Sequence, residues 1–152
     1  MNDSNQFVVF TLDGQAYALH LSVVERIVRV VEVTPLPKAP EIVLGVVNVG
    51  GKIIPVIDIR KRFRLHGREI DLSDQLVIAN TLHRRVALVV DSVIGVIERS
   101  VPEVTAAEQI LPNVKYVEGV AKLEDGMVLI HDLDKFLSLD EGKTLDDAMG
   151  KS

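Results

Sequence analysis

Residues 45–63 read GVVNVGGKIIPVIDIRKRF, and two aliphatic runs, Leu44–Val49 and Ile53–Ile57, flank Gly50-Gly51. Valine and isoleucine are stiff at the first side-chain torsion and pack well on a pleated surface. Two glycines tolerate the positive φ of a tight turn, so the stretch predicts a β-hairpin. Pro55 has no N–H to give to a ladder, which predicts an edge strand or a bulge. Asp58 ends the second strand, and its carboxylate can cap a short helical turn over Ile59–Arg64.

A second copy lies near the other end. Residues 119–135, GVAKLEDGMVLIHDLDK, align on 45–61 without a gap at an offset of 74. Gly45/Gly119, Val46/Val120, Asp58/Asp132 and Lys61/Lys135 are identical, while Val49/Leu123, Ile53/Met127, Ile54/Val128, Val56/Ile130 and Ile59/Leu133 stay aliphatic. Four identities in 17 positions weigh less than the shared order of glycine, strand, turn, strand, aspartate and turn. Upstream the echo continues at an offset of 70, which sets Ser22-Val23 on Ser92-Val93 and Ile27 on Ile97. One small chain thus reads as two similar halves.

Working outward, Phe7–Leu12 and Ala16–Leu21 are strands about Asp13-Gly14, a hairpin turn. Ser22-Val23-Val24 is a connector that Ser22 can cap, and Arg26–Val33 is a third strand. Thr34-Pro35-Leu36-Pro37-Lys38-Ala39-Pro40 cannot join a ladder, because prolines lack donors and restrict the residues before them; it predicts an ordered, extended loop. Polar residues 64–74 mark the junction between halves. Gln75–Ala79 and Arg85–Val90 give another hairpin, Val93–Glu98 a strand, Ala106–Ile110 a turn, and Tyr116–Leu123 with Met127–His131 the repeated hairpin. Leu133, Phe136 and Leu137 are spaced for one face of a helix over Asp132–Leu139. The expected organisation is a flexible N-terminus over 1–6, a first lobe over 7–64, a second over 75–139 packed closely on it, and a polar, frayed tail over 140–152. Strands apolar on both faces need cover on both, which two small barrels packed together supply, so the fold class is all-β.

Of the 152 residues 47% are hydrophobic but only 4% aromatic, so the core is aliphatic. No apolar run reaches the roughly 18 residues of a membrane helix, and MNDSNQ lacks the basic and apolar regions of a signal peptide. A cytoplasmic protein is the plain expectation. The absence of cysteine excludes disulfides, thiol nucleophiles and cysteine-ligated metals. A net charge of −5 argues against a general nucleic-acid binder.

Nothing in the chain assembles a reactive centre. His20, His66, His83 and His131 show no metal-ligand spacing. Asp58 and Asp132 are better explained as strand-end caps than as an acid/base pair. The glycines precede a strand, whereas phosphate loops precede helices, and no nucleophile elbow surrounds Ser22, Ser73, Ser92, Ser100 or Ser138. Arg60-Lys61-Arg62 with Arg64 is the one basic cluster. It reads as a solvated helix face, with an ion-pairing edge for an acidic partner as the alternative. The reading is of a non-enzyme without cofactor or metal, whose aliphatic strands and edges suit a docking module.

The runs ERIVRVVEVTPLPKAPEIVLGVVNVGGKIIPVIDIRKRF (25–63) and RRVALVVDSVIGVIERS (84–100) closely resemble the CheW family of bacterial chemotaxis adaptors, and the likeness extends over Phe7–Leu139. The resemblance implies two five-stranded SH3-like barrel subdomains on a shared hydrophobic core, with short helices including one near the C-terminus, and no enzymatic activity. It implies a scaffold that joins the cytoplasmic tips of methyl-accepting chemoreceptors to the regulatory domain of a CheA-type histidine kinase. That domain is itself a homologue of the adaptor, and the two alternate in rings. Such an adaptor is a monomer when isolated and is recruited to membrane receptor arrays without inserting. The family's receptor groove lies between the lobes and accepts a helical hairpin. Its matching positions here are Val24, Arg26 and Ile27, Gly45, Asn48 and Gly50, and Val93 and Val96. Two departures stand out. The family's central turn is asparagine–leucine–arginine–glycine, here Asn48-Val49-Gly50-Gly51; and the family's glutamate before the third-strand isoleucine is here Arg26, with Glu25 one residue earlier. If the two positions face each other, a cation has moved across the strand pair. The alternatives are a divergent adaptor serving pili motility or gene regulation, and a small-barrel nucleic-acid module that low basicity and sparse aromatics disfavour.

Overall fold

A computed structural model describes residues 4–100, 104–106, 117–124 and 126–150. Strands β1 (Ser4–Leu12) and β2 (Gln15–His20) pair about Asp13-Gly14, and a 3-10 turn at Leu21–Val23 leads into β3 (Val24–Arg29). The hairpin of β4 (Val43–Val49) and β5 (Lys52–Ile57) follows, then helix α1 (Ile59–Arg62), where the Asp58 carboxylate accepts from Arg60 N–H. Next come β6 (Gln75–Asn80), β7 (Arg85–Val90), β8 (Ser92–Ser100), β9 (Val104–Ala106), β10 (Val117–Leu123), β11 (Gly126–His131), a 3-10 turn at Leu133–Lys135 and helix α2 (Leu139–Ala148). The turn expected at Ala106–Ile110 lies outside the described residues beyond Ala106.

The strands form two sheets, in the orders β8-β1-β2-β11-β10-β9 and β3-β6-β7-β5-β4. The all-β, two-lobed architecture is as expected, but the lobes do not divide at 64–75. The five-stranded sheet is built from residues 24–90 and the other from both flanks. Each sequence half donates its first hairpin to the sheet completed by the other half: β1–β2 joins β8, β10 and β11, while β6–β7 joins β3, β4 and β5. A sequence reading places neighbours in the chain together, and this exchange leaves no trace in composition.

The repeat itself is visible in the register. Val56 pairs in parallel with Ala87, and their counterparts Ile130 and Ala18 pair likewise. Ladder irregularities fall at Val43/Gly45 and again at Val117/Gly119. Upstream, the bulge that skips Glu25 between Val24 and Arg26 matches one that skips Ile94 between Val93 and Gly95. The structural offset there is 69 rather than 70, so the counterpart of Ile27 is Val96, not Ile97. The sixth strand, β9, answers to the isolated bridge Thr34↔Val46, since Val120, the counterpart of Val46, pairs with Thr105.

Alternation sends each strand's two faces into different cores. Leu76 and Ile78 join Val47, Ile54, Val56 and Ala87 inside one sheet; Phe7 and Val9 join Ala18, Val128 and Ile130 inside the other. Val77, Ala79, Phe10 and Leu12 meet between the sheets in a third, larger cluster with Leu19, Ile57, Leu88, Phe136 and Leu145. This is the shared hydrophobic core, and each large side chain fully buried in it contributes roughly 1.5–3 kcal/mol.

Four local expectations need correction. Residues 4–6 belong to β1 rather than to a loose terminus. The third strand ends at Arg29, and 30–33 leave the ladder. Pro55 is on neither an edge strand nor a bulge: β5 lies between β7 and β4, but β7 joins only from Val56, so no ladder partner waits for the missing N–H. Finally, Asp132–Leu139 is not one helix. The chain makes a single 3-10 turn and then restarts at Ser138, which caps α2, and residues 140–148 of the expected frayed tail belong to that helix.

Candidate functional site

The candidate residues fall into three groups. Val24 and Val93 occupy equivalent places at the starts of β3 and β8, and both pack against the inter-sheet cluster. Ile27 and Val96 are the next equivalent pair; they are 38% and 53% exposed, as are Ile53 of β5 at 54% and Ile94 of β8 at 63%. β3 and β8 are the terminal strands of their sheets among the described residues, so each pair has one member on either terminal strand. The two edges are joined at one end. Gln75, registered opposite Arg29 of β3, accepts a hydrogen bond from Val93 N–H through its side-chain oxygen at 2.8 Å.

Arg26 and Gly50 form the second group. The skipped Glu25 turns out to Arg85 Nε at 2.9 Å and Asn80 at 3.4 Å, and the hydrogen bond from Arg85 holds its carboxyl below the usual range. Arg26 falls on the same face as Val28, which packs inside the sheet. A Cβ placed on Gly50 would lie 4.0 Å from the Arg26 guanidinium. Because β3 and β4 are opposite edges of one sheet, this approach means that the sheet curls until its edges meet. Arg26 thus covers the turn where the resemblance places an arginine. It is exposed and makes no hydrogen bond or ion pair among the described residues.

Gly45 and Asn48 shape the hairpin, the first buried and the second exposed. Gly45 is buried with φ +154°, and a Cβ there would meet Thr34 O at 2.2 Å. The proline-rich loop crosses at this point, with Thr34 N–H donating to Val46 O and Val46 N–H to Thr34 O, both at 2.8 Å. Asn48 Oδ1 accepts from Gly51 N–H at 3.0 Å and fastens the hairpin turn.

The basic cluster is not a solvated face. Arg60 is 7% exposed; its Nη1 donates to Asp13 Oδ1 at 2.8 Å and to His66 O at 3.1 Å, and its Nη2 to Asp91 Oδ1 at 2.7 Å. Arg62 pairs with Glu141 at 2.7 Å. Only Lys61 and Arg64 of the four are exposed. Sequence reasoning missed the rest of this network. Asp91 also receives Arg68 Nη2 at 2.5 Å and Asp13 N–H at 2.8 Å, and Arg68 grips the buried Asp74 at 2.7 and 3.0 Å. Burial by itself would raise the Asp91 pKa, but the Asp13 N–H and the two guanidiniums outweigh it and hold the carboxyl below its ordinary value. Its partners are up to 78 residues away, a spacing that no local pattern reveals.

Among the described residues no group of histidine and carboxylate side chains could hold a metal ion, and no helix is long and apolar enough to cross a membrane. Among the described residues, one cleft of about 250 Å³ lies beside α2, floored by Ile57, Val86 and Phe136, and another of about 220 Å³ is edged by His20, Glu118 and His131.

Comparison with known proteins places these features in a family. The sequence model of the CheW-like domain matches residues 6–141. The chain is 30% identical over 148 residues to the chemotaxis protein CheW of Treponema pallidum, covering 93% of this chain and 87% of that one. It is 29% identical over 143 residues to the chemotaxis protein CheW of Klebsiella aerogenes, covering 93% and 86%. Among solved structures, the scaffolding protein TtCheW from Thermoanaerobacter tengcongensis superposes with a TM-score of 0.81 at 32% identity, over 90% of this chain and 94% of that one.

Proposed function

This chain belongs to the CheW-like family of non-catalytic chemotaxis scaffolds, and from that premise we propose that it couples methyl-accepting chemoreceptors to a CheA-type histidine kinase. The receptor's helical hairpin enters between the two sheets, along β3 and β8. What supports this reading is the pairing of Val24 with Val93 and of Ile27 with Val96: matched, partly exposed aliphatic side chains on the terminal strands of the two sheets. Helix anchors recurring every three or four residues can fill such a trough. Gly45 and Asn48 support the hairpin beside it without touching the receptor. The kinase's regulatory domain, built on the same fold, docks on the remaining sheet ends, so that like lobes continue in alternation. The place of work is the cytoplasm, at the inner ends of membrane receptors.

Arg26 supplies the cation at the hairpin end and meets a receptor carboxylate there. Replacing it with alanine removes an exposed charge worth roughly 1 kcal/mol, about fivefold in affinity. Titration of the purified chain against a receptor cytoplasmic tip is expected to show that loss, with co-elution with the kinase regulatory domain unchanged. Equal affinity in Arg26→Ala rejects the role of Arg26, and no binding by the unaltered chain rejects the receptor reading.

A further inference from the structure

The charged network lies where the chain passes from one sheet to the other. β7 and β8 are consecutive but belong to different sheets, and Asp91 is the single residue between them. Its backbone N–H donates to Thr11 O at 3.0 Å, and its Oδ2 accepts from Asp13 N–H at 2.8 Å, so it is fastened to the β1–β2 turn of the six-stranded sheet. Its Oδ1 takes Arg60 from α1 at 2.7 Å and Arg68 from the 64–74 segment at 2.5 Å, both attached to the five-stranded sheet. Arg68 continues to Asp74, which is 2% exposed, and the Asp74 carbonyl accepts from Val30 N–H at 3.2 Å, immediately after β3. A connected path therefore runs from the end of β3 through Asp74, Arg68 and Asp91 to the start of β8. A guanidinium is suited to this because its planar fork bridges two carboxylates in fixed geometry, which an ammonium cannot do.

We propose that Asp74, Arg68 and Asp91 form a clamp that sets the separation of β3 and β8, and with it the width of the receptor trough. The inference rests on the receptor reading above. None of the three clamp residues is among the aliphatic candidates of the trough, so they position it rather than line it. Arg68 is the most exposed member of the clamp, its side chain being 36% exposed against 2% for Asp74 and 27% for Asp91. Receptor helices that spread the two strands would pull on Arg68 first. The strain would pass into the 64–74 segment, where Leu72 stands 91% exposed.

The chain has no cysteine, so spin labels at Arg29→Cys on β3 and Glu98→Cys on β8 report the separation directly. In Arg68→Met the distance distribution between the labels is expected to broaden and shift outward, and receptor-tip affinity to fall about tenfold, within the range of ordinary couplings between sites. Arg68→Met leaves a buried carboxylate with fewer partners, so Arg68→Met with Asp74→Asn is measured beside it; it opens the clamp without an unpaired charge and is expected to give the same broadening. Arg68→Lys, which reaches one carboxylate at a time, should fall between. An unchanged distance distribution in the folded double variant overturns the clamp. A broadened distribution with unaltered receptor affinity upholds the clamp and overturns the receptor trough.

Discussion

His131 carries more of the pH dependence of this protein than its place in the sequence suggests. It is 3% exposed, with its ring 4.3 Å from Phe63 and 5.3 Å from Tyr17, and Nδ1 lies 3.0 Å from Leu129 O, which assigns the proton to that nitrogen. Burial pushes its pKa down to about 4, against a smaller opposing pull from the Leu129 carbonyl. The unfolded chain binds this proton near pH 6.5 and the folded chain only near 4, so between those values the unfolded state holds more protons. The stability from keeping the ring neutral is complete above pH 6.5 and is lost as pH falls toward 4, up to about 3 kcal/mol in all and about 2 by pH 5. Urea denaturation at pH 7 and pH 5 should show that loss in the native chain. His131→Phe, which keeps the aromatic packing, should show a smaller difference between the two pH values, and an equal difference would refute the assignment. Gly45 is a different lesson at the same scale: its motif drew it into the binding site, but Thr34 O beside it explains why no side chain can stand there.

At the scale of elements, α2 acts as a latch on the inter-sheet core. The helix starts with a reciprocal cap: Ser138 accepts from Glu141 N–H, and Glu141 accepts from Ser138 N–H at 2.8 Å. Glu141 also takes Arg62 of α1 at 2.7 Å, Asp146 pairs with Arg84, and Leu145 is fully buried. Leu145→Ala should lower stability by about 2–5 kcal/mol and Ser138→Ala by about 1 kcal/mol, read as shifts in urea midpoint at unchanged slope. Losses within a few tenths of a kcal/mol for Leu145→Ala would mean that the helix is not docked. The sequence reading carried its helix through Ser138, although Ser138 and Glu141 have the spacing of a capping box. The helix was missed because it buries only one residue completely, so its composition reads as solvated tail. The β4–β5 hairpin was legible for the opposite reason: both its strands and its turn are written in local residue preferences, and Asp58 caps α1 as its position suggests.

For the whole molecule, what could be read was the repeat, and what could not was how the repeats interlock. Offsets and bulges are properties of one strand and its neighbour, so Val24/Val93 and Gly45/Gly119 correspond as a duplicated pattern demands, with the upstream offset wrong by one residue. The exchange of β1–β2 and β6–β7 depends on which sheet a hairpin packs into, and both sheets offer the same aliphatic surface. Likewise the Arg68–Asp91 contact joins residues whose charges carry no address. The interlock has a consequence for the chain as a polymer. A cut in the 69–73 segment separates the halves covalently but leaves each holding a hairpin inside the other's sheet. Residues 1–70 alone would present β3, β4 and β5 without the central pair β6–β7, and would strand β1–β2 without β8 and β11. Neither half can bury the inter-sheet cluster, so neither should fold alone, since apolar surface left in water cannot offset the entropy of ordering a chain. Mixed from denaturant, the two fragments are expected to refold into one species with the native circular dichroism and to co-elute at the size of the intact protein. If either fragment alone gives a cooperative unfolding transition, the halves are self-sufficient lobes and the exchanged hairpins are wrong.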